Sequence, residues 1–296
     1  MTDTPFASMP KRLIGRAMRR APVVAVLRLS GVISAPSRIH SGLNLGALAP
    51  HIEAAFRQRR LRAVALVVNS PGGAAAQSSL IARRIRSLAA EKEVPVFAFV
   101  EDVAASGGYW LACAADEIYA DESSIVGSIG VIASGFGFVE MMAKLGVERR
   151  LHAQGDKKTL LDPFIPETPA DVRRLTALQK DIFESFKDVV RERRGGKLTL
   201  GERQAFSGEI WTGRKALEHG LIDGIGDLRT VMRERYGEDV RFKVLGREPG
   251  LLSRVLRRRF GGTAVAARGS PPVPGNWADQ LISALEARAL WSRFGL

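Results

Sequence analysis

Three short, almost unbroken apolar segments constrain the fold of this chain more than any other feature. They cover residues 23–29, 63–68 and 94–100, and segments with apolar residues at helical spacing, 47–59 and 77–90, separate them. A strand forms a continuous apolar run when both of its faces are buried, as in a parallel sheet covered by helices. The alternation therefore predicts βαβ units with right-handed crossovers, which is an α/β fold with a parallel-sheet core.

The third apolar segment leads through a serine into a predicted helix. Ser106 is followed by Gly107 and Gly108, and a nearly all-apolar helix begins with Tyr109. Open α/β sheets bind ligands at the carboxyl ends of their strands, where the first N–H groups of the next helix attract negative charge. Serine is also a preferred helix N-cap. This stretch alone leaves two interpretations of Ser106, a capping residue and a nucleophile.

The second apolar segment ends in the turn Ser70-Pro-Gly-Gly73. If the second and third strands are neighbours, their carboxyl ends lie side by side, and Gly72, Gly73 and Gly107 can present backbone N–H groups near Ser106. Two such donors beside a hydroxyl form an oxyanion hole, which stabilises the negative charge that develops during acyl transfer. The same four residues also make ordinary turns, so the motif is informative only in combination with Ser106.

A serine nucleophile needs a general base. None of the four histidines, His40, His51, His152 and His219, lies in a stretch with a second catalytic signal. A lysine can serve instead if burial lowers its pKa from the usual value of about 10.4. Lys157 and Lys158 are the candidates by position in the chain.

The single cysteine, Cys113, excludes an internal disulfide bond and a zinc cluster built from several thiolates. Its apolar helical surroundings predict a core residue rather than a nucleophile. Acyl transfer by a serine nucleophile and a lysine base needs no cofactor and no metal.

Five motifs occur in a fixed order over residues 23–240, and together they closely resemble the signal peptide peptidase A and SohB family of serine–lysine peptidases. Each motif occurs once, which corresponds to the single-domain form of the family. The motifs are Asn69–Gly73, Ala105–Tyr109, Gly127–Val131, Gly155–Lys158 and Gly213–Asp223.

The resemblance implies a crotonase-like (Clp-type) α/β fold with a helical C-terminal part, and a Ser/Lys dyad that cleaves peptide bonds through an acyl-enzyme. It assigns the nucleophile to Ser106 and the general base to Lys158, whose amine Ser128 would hold by a hydrogen bond. Gly73 and Gly107 would form the oxyanion hole. Because Lys157 and Lys158 are adjacent, the choice of Lys158 rests on the register of the Gly-x-x-Lys motif.

The resemblance also implies partners. Family members form ring-like homo-oligomers whose active sites face an internal chamber, and neighbouring subunits sometimes contribute the serine and the lysine. The expected substrates are extended peptides such as signal-peptide remnants or unfolded segments.

The net charge of +13 is concentrated at the two ends of the chain, because residues 1–21 and 247–296 hold nine of the thirteen excess positive charges. This distribution predicts a basic amphipathic segment over 1–21, a peptidase domain over 22–245 and a basic extension with a Gly/Pro linker over 246–296. Nucleic-acid binding is not expected, because aromatic and basic residues do not interleave.

Both ends mix apolar residues with arginine at helical spacing, which is typical of helices attracted to anionic lipid. Solvated ends are the alternative. No apolar segment approaches the roughly 20 residues of a membrane span, and no signal peptide is recognised. The expected location is the cytoplasm, with a peripheral position on the inner face of the membrane through the basic ends.

Two other functions are compatible with the same fold. A catalytically idle membrane scaffold would make use of the basic ends and leave Ser106 without a role. A crotonase-type acyl-CoA enzyme would use the oxyanion hole, but it would need carboxylate acid–base groups and a CoA pocket.

A long helix is predicted from Thr168-Pro169 to Arg194, because threonine is a good N-cap and proline a good first helical residue. One face of this helix is apolar and is predicted to lie in the core. Its members are Val172, Leu175, Leu178, Ile182, Phe183, Phe186 and Val190.

Overall fold

The computed structural model describes residues 21–36, 42–155, 157–246 and 288–295. Strands and helices alternate through its first part. In chain order they are β1 (Val23–Ser30), α1 (Leu45–Phe56), β2 (Leu61–Ser70), α2 (Ala75–Lys92), β3 (Val96–Ala105), α3 (Gly107–Ala112), β4 (Glu117–Ala120) and β5 (Ile125–Gly127).

The second part is mainly helical and adds three short strands. Its elements are α4 (Val139–Leu145), α5 (Pro169–Arg194), α6 (Glu202–Ala205), β6 (Ile210–Thr212), α7 (Gly213–Glu218), β7 (Gly224–Ile225), α8 (Leu228–Tyr236) and β8 (Arg241–Leu245). Residues 288–292 form a further helical segment near the C-terminus.

One sheet contains all of these strands, in the order β6-β5-β3-β2-β1-β8, and β4 and β7 extend it beside the first half of β3. All neighbouring strands are parallel except β5 and β6, which are antiparallel. The carboxyl ends of β2 and β3 therefore meet at one edge, where Ser70 pairs with Ala104. This edge carries the candidate active site.

Side chains alternate between the two faces of the sheet, as in any strand. One face of β1, β2 and β3 packs on α1, α2 and α3 and forms the larger core cluster. The other face packs mainly on α8 through Val231 and Met232. Burial of both faces explains why the three strands are apolar throughout.

The predicted α/β architecture is confirmed. The structure differs in the later strands, since β6, β7 and β8 join the sheet and β8 lies beside β1. The glycine-rich segment 126–132 is a strand only as far as Gly127. After Gly127 its backbone leaves the sheet and continues into the candidate active site.

Helix α5 has the predicted bounds, and the Thr168 side chain accepts a hydrogen bond from the Asp171 N–H as its N-cap. The prediction that its whole apolar face lies in the core is wrong. Only the C-terminal half packs on the domain, through buried Phe186 and Val190, whereas Val172 and Leu178 are exposed. In the N-terminal half, Leu175 is half-buried and lines a surface cavity together with residues of the segment 133–167.

Most of the two basic ends, residues 1–20 and 247–287, lies outside the described residues, and the predictions for these ends remain predictions. Within the described ranges, no helix has both the length and the apolar composition needed to cross a membrane.

Candidate active site

Ser106 lies in a tight turn between β3 and α3. Its backbone has φ of 53° and ψ of −122°, a conformation that costs a non-glycine residue free energy and that is concentrated at functional sites. Its N–H donates to the Gly127 carbonyl at 2.8 Å, which fixes the turn against the end of β5. The side chain makes no capping hydrogen bond to α3. The capping interpretation of Ser106 is therefore wrong for this structure.

The turn after β2 brings a second stretch of backbone against Ser106. At Gly72, where φ is +101°, a Cβ atom would lie 2.8 Å from the Ser106 Cβ and 2.9 Å from the Gly107 nitrogen. At Gly73, where φ is +138°, a Cβ would lie 2.0 Å from the Ile33 carbonyl oxygen. Only glycine fits at either position.

The N–H groups of Gly73 and Gly107 are close neighbours. The Gly73 nitrogen lies 3.4 Å from the position that a Cβ on Gly107 would occupy. Among the described residues neither N–H donates a hydrogen bond to the protein, and Gly107, as the first residue of α3, has no acceptor within its helix. Two unpaired donors beside the Ser106 side chain have the arrangement of an oxyanion hole.

Ser128 lines the same cleft as Ser106. It follows Gly127 at the end of β5, has a positive φ of 52° and is half-buried. Its N–H donates to the Glu209 carbonyl at 2.7 Å, so the antiparallel pairing of β5 with β6 determines where its side chain lies.

These residues open into a cleft of about 600 Å³ that includes Gly73, Ser106, Gly107 and Ser128. Its remaining walls are largely apolar. Trp110 and Phe186 stack there with ring centroids 4.7 Å apart. The cleft lining also includes Val131, Ile132, Ile182, Leu290 and Arg293.

Lys157 and Lys158 are exposed, and neither belongs to the lining of the Ser106 cleft. They lie on a turn in which the Lys158 N–H donates to the Gly155 carbonyl at 3.2 Å. The Cγ of Lys158 lies 3.3 Å from the position of a Cβ on Gly155. The spacing of the Gly-x-x-Lys motif thus corresponds to a contact between Gly155 and the second lysine, and the pairing of Lys158 with Ser106 remains a prediction.

No histidine of the described chain lines the Ser106 cleft. His51 and His152 are exposed, and His219 packs edge-on against Trp211 with ring centroids 5.6 Å apart. His40 lies outside the described residues. The structure thus offers no histidine as the base of Ser106 in the part of the chain that it describes.

Cys113, at the C-terminal end of α3, is fully buried, as predicted for a core residue. Burial raises the pKa of its thiol to about 12, so the reactive thiolate is scarce at neutral pH. Across the described ranges no group of three or more His, Cys, Asp or Glu side chains could hold a metal ion.

The last motif, Gly213–Asp223, is hydrogen-bonded to α5 and to α3, the helix that follows Ser106. Arg194 is buried and donates to the Asp223 carboxylate at 2.6 Å and to the Gly220 carbonyl at 2.7 Å. The Tyr109 hydroxyl, on α3, donates to the Leu221 carbonyl at 2.8 Å. These bonds tie α5 and α3 to one loop, so the motif has a structural role in the described chain.

The sequence does not indicate the site roles of three residues, two in the cleft wall and one behind the glycine turn. Ile182 and Phe186 are predicted as core residues, yet both line the cleft, and their helical spacing does not distinguish a core face from a cleft wall. Ser70 is predicted only as part of a turn, but it is completely buried and hydrogen-bonded on two sides. Its position next to the Gly-Gly pair is the one available signal.

The model of the family described as Peptidase family S49 matches residues 89–239. This range contains Ser106, Ser128 and Lys158.

Two curated relatives illustrate the sequence similarity. Over 291 residues the chain is 47% identical to a Brucella abortus (strain 2308) protein named Na(+)/H(+) antiporter NhaA, covering 97% of this chain and 39% of that protein. Over 205 residues it is 32% identical to the serine protease SPPA, chloroplastic, of Arabidopsis thaliana, covering 69% of this chain and 29% of that protein. The chain thus spans well under half the length of either relative.

Among solved structures, a variant of the 1510-N membrane-bound stomatin-specific protease superposes with a TM-score of 0.50 at 18% identity. The superposition covers 77% of this chain and 100% of that chain. At this identity the likeness concerns the fold alone.

Proposed function

We propose that this chain, which belongs to peptidase family S49, is a serine endopeptidase that uses Ser106 as nucleophile and Lys158 as general base. The observation that carries the proposal is the strained turn at Ser106, beside which the N–H groups of Gly73 and Gly107 have no partner in the described chain. The match of the family model is the premise for peptide-bond cleavage, because the turn by itself would serve other acyl-transfer reactions.

In the proposed reaction, neutral Lys158 takes the proton of the Ser106 hydroxyl as its oxygen attacks the scissile carbonyl. The N–H groups of Gly73 and Gly107 hold the resulting oxyanion. The lysine then gives the proton to the leaving amine, and water hydrolyses the acyl-enzyme by the same steps in reverse order. Ser128 would hold the lysine amine by a hydrogen bond.

A neutral lysine at physiological pH requires desolvation, and Lys158 is exposed in the single chain. We therefore propose that the dyad is completed in a homo-oligomer, in which the Lys158 turn meets a cleft of a neighbouring subunit. The segment that contains this turn supports an assembly interface because it exposes large apolar side chains. They are Ile132, Phe136, Met141, Leu145, Val147, Leu151, Leu161, Val172 and Leu178.

The proposed substrates are extended peptides with an apolar side chain near the cleavage point, such as signal-peptide remnants or unfolded segments. The stacked Trp110 and Phe186 rings and the neighbouring Ile182 give the cleft apolar walls. Moving an apolar substrate side chain from water onto such a surface lowers the free energy of the complex.

The test is covalent labelling of the purified wild-type protein with a fluorophosphonate, followed by identification of the modified peptide. We expect a single adduct, on Ser106. An adduct on another serine would contradict the assignment of the nucleophile. A folded, assembled protein without any adduct would contradict the peptidase proposal and favour the idle scaffold.

The C-terminal segment supplies a prediction about access to the cleft. Leu290 and Arg293 line the same cleft as Ser106, and we propose that this segment competes with a substrate for the cleft. Deleting residues 288–296 is expected to lower the KM for a peptide substrate by about two- to tenfold, because an occupied site binds in proportion to its free fraction. Arg288→Ala, which changes an exposed residue outside the cleft lining, is the control. A KM unchanged by the deletion would contradict the prediction.

We propose further that residues 22–245 form the peptidase domain in the cytoplasm and that the basic ends bind the inner face of the membrane. Membrane fractionation of cells that express the intact chain is expected to recover it with the membrane at low salt. Removing 1–21 and 247–296 should release it, because basic segments bind anionic lipid electrostatically. Recovery of the intact chain entirely in the soluble fraction would overturn this proposal.

A further inference from the structure

The geometry of the oxyanion hole depends on how the Gly72-Gly73 turn is held, and the turn is held from two sides. On its outer side, the Ile33 N–H donates to the Gly72 carbonyl and the Ala74 N–H donates to the Ile33 carbonyl, each at 2.8 Å. These two bonds flank Gly73 and attach it to the loop that follows β1. They leave the Gly73 N–H directed away from the loop, without an acceptor in the described chain.

On its inner side, the turn is held by one side chain. The Ser70 hydroxyl donates to the Gly31 carbonyl at 2.6 Å and accepts from the Gly72 N–H at 3.2 Å. Ser70 is completely buried, so water does not compete for either bond. Through this hydroxyl the end of β1 and the first residue of the glycine pair are connected.

The Ser70 backbone also contacts the other half of the oxyanion hole. A Cβ on Gly108 would lie 2.4 Å from the Ser70 carbonyl oxygen, which means that the first turn of α3 packs directly on Ser70. The residue therefore contacts both backbone segments, 72–73 and 107–108, whose N–H groups would receive the oxyanion. A change in its position would alter the spacing of Gly73 and Gly107.

From these contacts we infer that Ser70 is a positioning residue of the oxyanion hole, whose hydroxyl sets the orientation of the Gly73 N–H toward the reacting carbonyl. This inference rests on the proposed function. Without the hydroxyl, the Gly72 N–H and the Gly31 carbonyl lose their buried partner, and the turn relaxes to recover other bonds. Small displacements of a preorganised donor reduce the stabilisation of the transition state more than the binding of the substrate.

The test compares Ser70→Ala with the wild type in hydrolysis of a peptide substrate. The expected result is a kcat lower by about 10- to 100-fold, below the full effect of about 10²–10³-fold for a lost oxyanion donor, with KM nearly unchanged. A peptide boronic acid, whose tetrahedral adduct on Ser106 places an oxygen in the hole, should bind more weakly by a similar factor. An uncleavable peptide of the same sequence should keep its affinity.

Two further variants separate positioning from stability. Ser70→Thr, which retains the hydroxyl, should recover most of the kcat. Ser70→Cys keeps most of the side-chain volume but forms weaker hydrogen bonds. It replaces Ser70→Ala in the kinetic comparison if Ser70→Ala does not fold. Ser124→Ala is the matched control, because the buried Ser124 hydroxyl also donates to a backbone carbonyl, that of Glu101, and accepts from a backbone N–H, that of Asp121. It should leave kcat intact.

The outcomes distinguish the inference from the function on which it rests. Wild-type labelling at Ser106 together with an unchanged kcat in Ser70→Ala would overturn the role of Ser70 and leave the peptidase proposal standing. Equal losses of affinity for the boronic acid and the uncleavable peptide would also overturn it, because they indicate general damage to the cleft. A wild type that is neither labelled nor active would overturn both.

Discussion

Ser106→Ala is expected to lower peptide hydrolysis by at least about 10³-fold and to abolish labelling by a fluorophosphonate, because removal of the nucleophile leaves only the contributions of binding and the oxyanion hole. The substitution removes one oxygen from a half-buried side chain that forms no cap with α3. Thermal unfolding should therefore be nearly unchanged. Activity that survives in a folded Ser106→Ala protein would show that another residue attacks the substrate.

Substituting each of the two adjacent lysines in turn tests which of them is the general base of the dyad. Lys158→Ala is expected to reduce hydrolysis to nearly the level of Ser106→Ala, since no proton acceptor would remain for the serine. Lys157→Ala should retain most of the activity. Both side chains are exposed in the single chain, so neither substitution should change the stability of the subunit. The opposite ranking would assign the base to Lys157.

A mixing experiment tests where the lysine comes from. If neighbouring subunits share the dyad, then co-assembly of Ser106→Ala with Lys158→Ala should restore part of the activity, because some interfaces would pair an intact serine with an intact lysine. Ser106→Ala mixed with the double variant is the control and should remain inactive. A mixture that stays inactive, although the variants co-assemble, would place serine and lysine in the same chain.

Arg194→Met is expected to destabilise the domain by about 3–5 kcal/mol, the usual cost of breaking a buried ion pair by removing one partner. The Arg194 side chain is 2% exposed and its Asp223 partner 14% exposed. The substitution also leaves the Gly220 carbonyl without the two N–H donors that Arg194 provides. Chemical denaturation of the wild type and the variant measures the difference.

Lys197→Met is the matched control for this prediction. Lys197 binds the same carboxylate at 2.6 Å, but its side chain is 47% exposed. An exposed pair contributes at most about 1 kcal/mol, so this variant should lie close to the wild type. Equal losses for the two substitutions would contradict the assignment of the stabilisation to buried Arg194.

The effect of Arg194→Met should depend on pH. Burial alone would raise the pKa of Asp223, but hydrogen bonds from Arg194, Lys197 and the Ile118 N–H outweigh it and hold the pKa below its usual value. A lowered pKa stabilises the fold fully above the unfolded-state value of about 3.9, and this stabilisation is lost as the pH falls through the folded-state value. The difference between wild type and variant should be constant at neutral pH and should shrink below about pH 4. A difference that does not shrink in acid would exclude the ionised carboxylate as its origin.

The positions of the strands and turns could be predicted from the sequence because local patterns determine them. Continuous apolar runs marked β1, β2 and β3, and Thr168-Pro169 marked the start of α5. The glycine pair at 72–73 and the turn at Ser106 were recognisable because few other residues permit such close backbone approach. Asn44, which caps α1 by accepting from the Ala47 N–H, shows why the start of that helix was predicted two residues late: the cap lies in a loop without apolar periodicity.

Two features of the candidate site could not be predicted in this way. The sequence marked Lys158 as the base but contained nothing about its distance from Ser106, and the structure places it on an exposed turn outside the cleft. Apolar residues recur at the same helical spacing along the whole of α5. Even so, Phe186 packs against Trp110 while Leu178 remains exposed. Periodicity indicates that a face is apolar, and the position of the helix relative to the sheet decides what covers it.

By itself, the sequence determined that an α/β domain presents a serine and a glycine turn at strand ends, because apolar periodicity and glycine content act over a few residues. The tertiary structure alone decided that the Gly73 and Gly107 N–H groups converge and that Ser70 reaches the Gly31 carbonyl. Those contacts depend on the order and register of β1, β2 and β3. Strand order and register result from the packing of residues far apart in the chain, which no local pattern encodes.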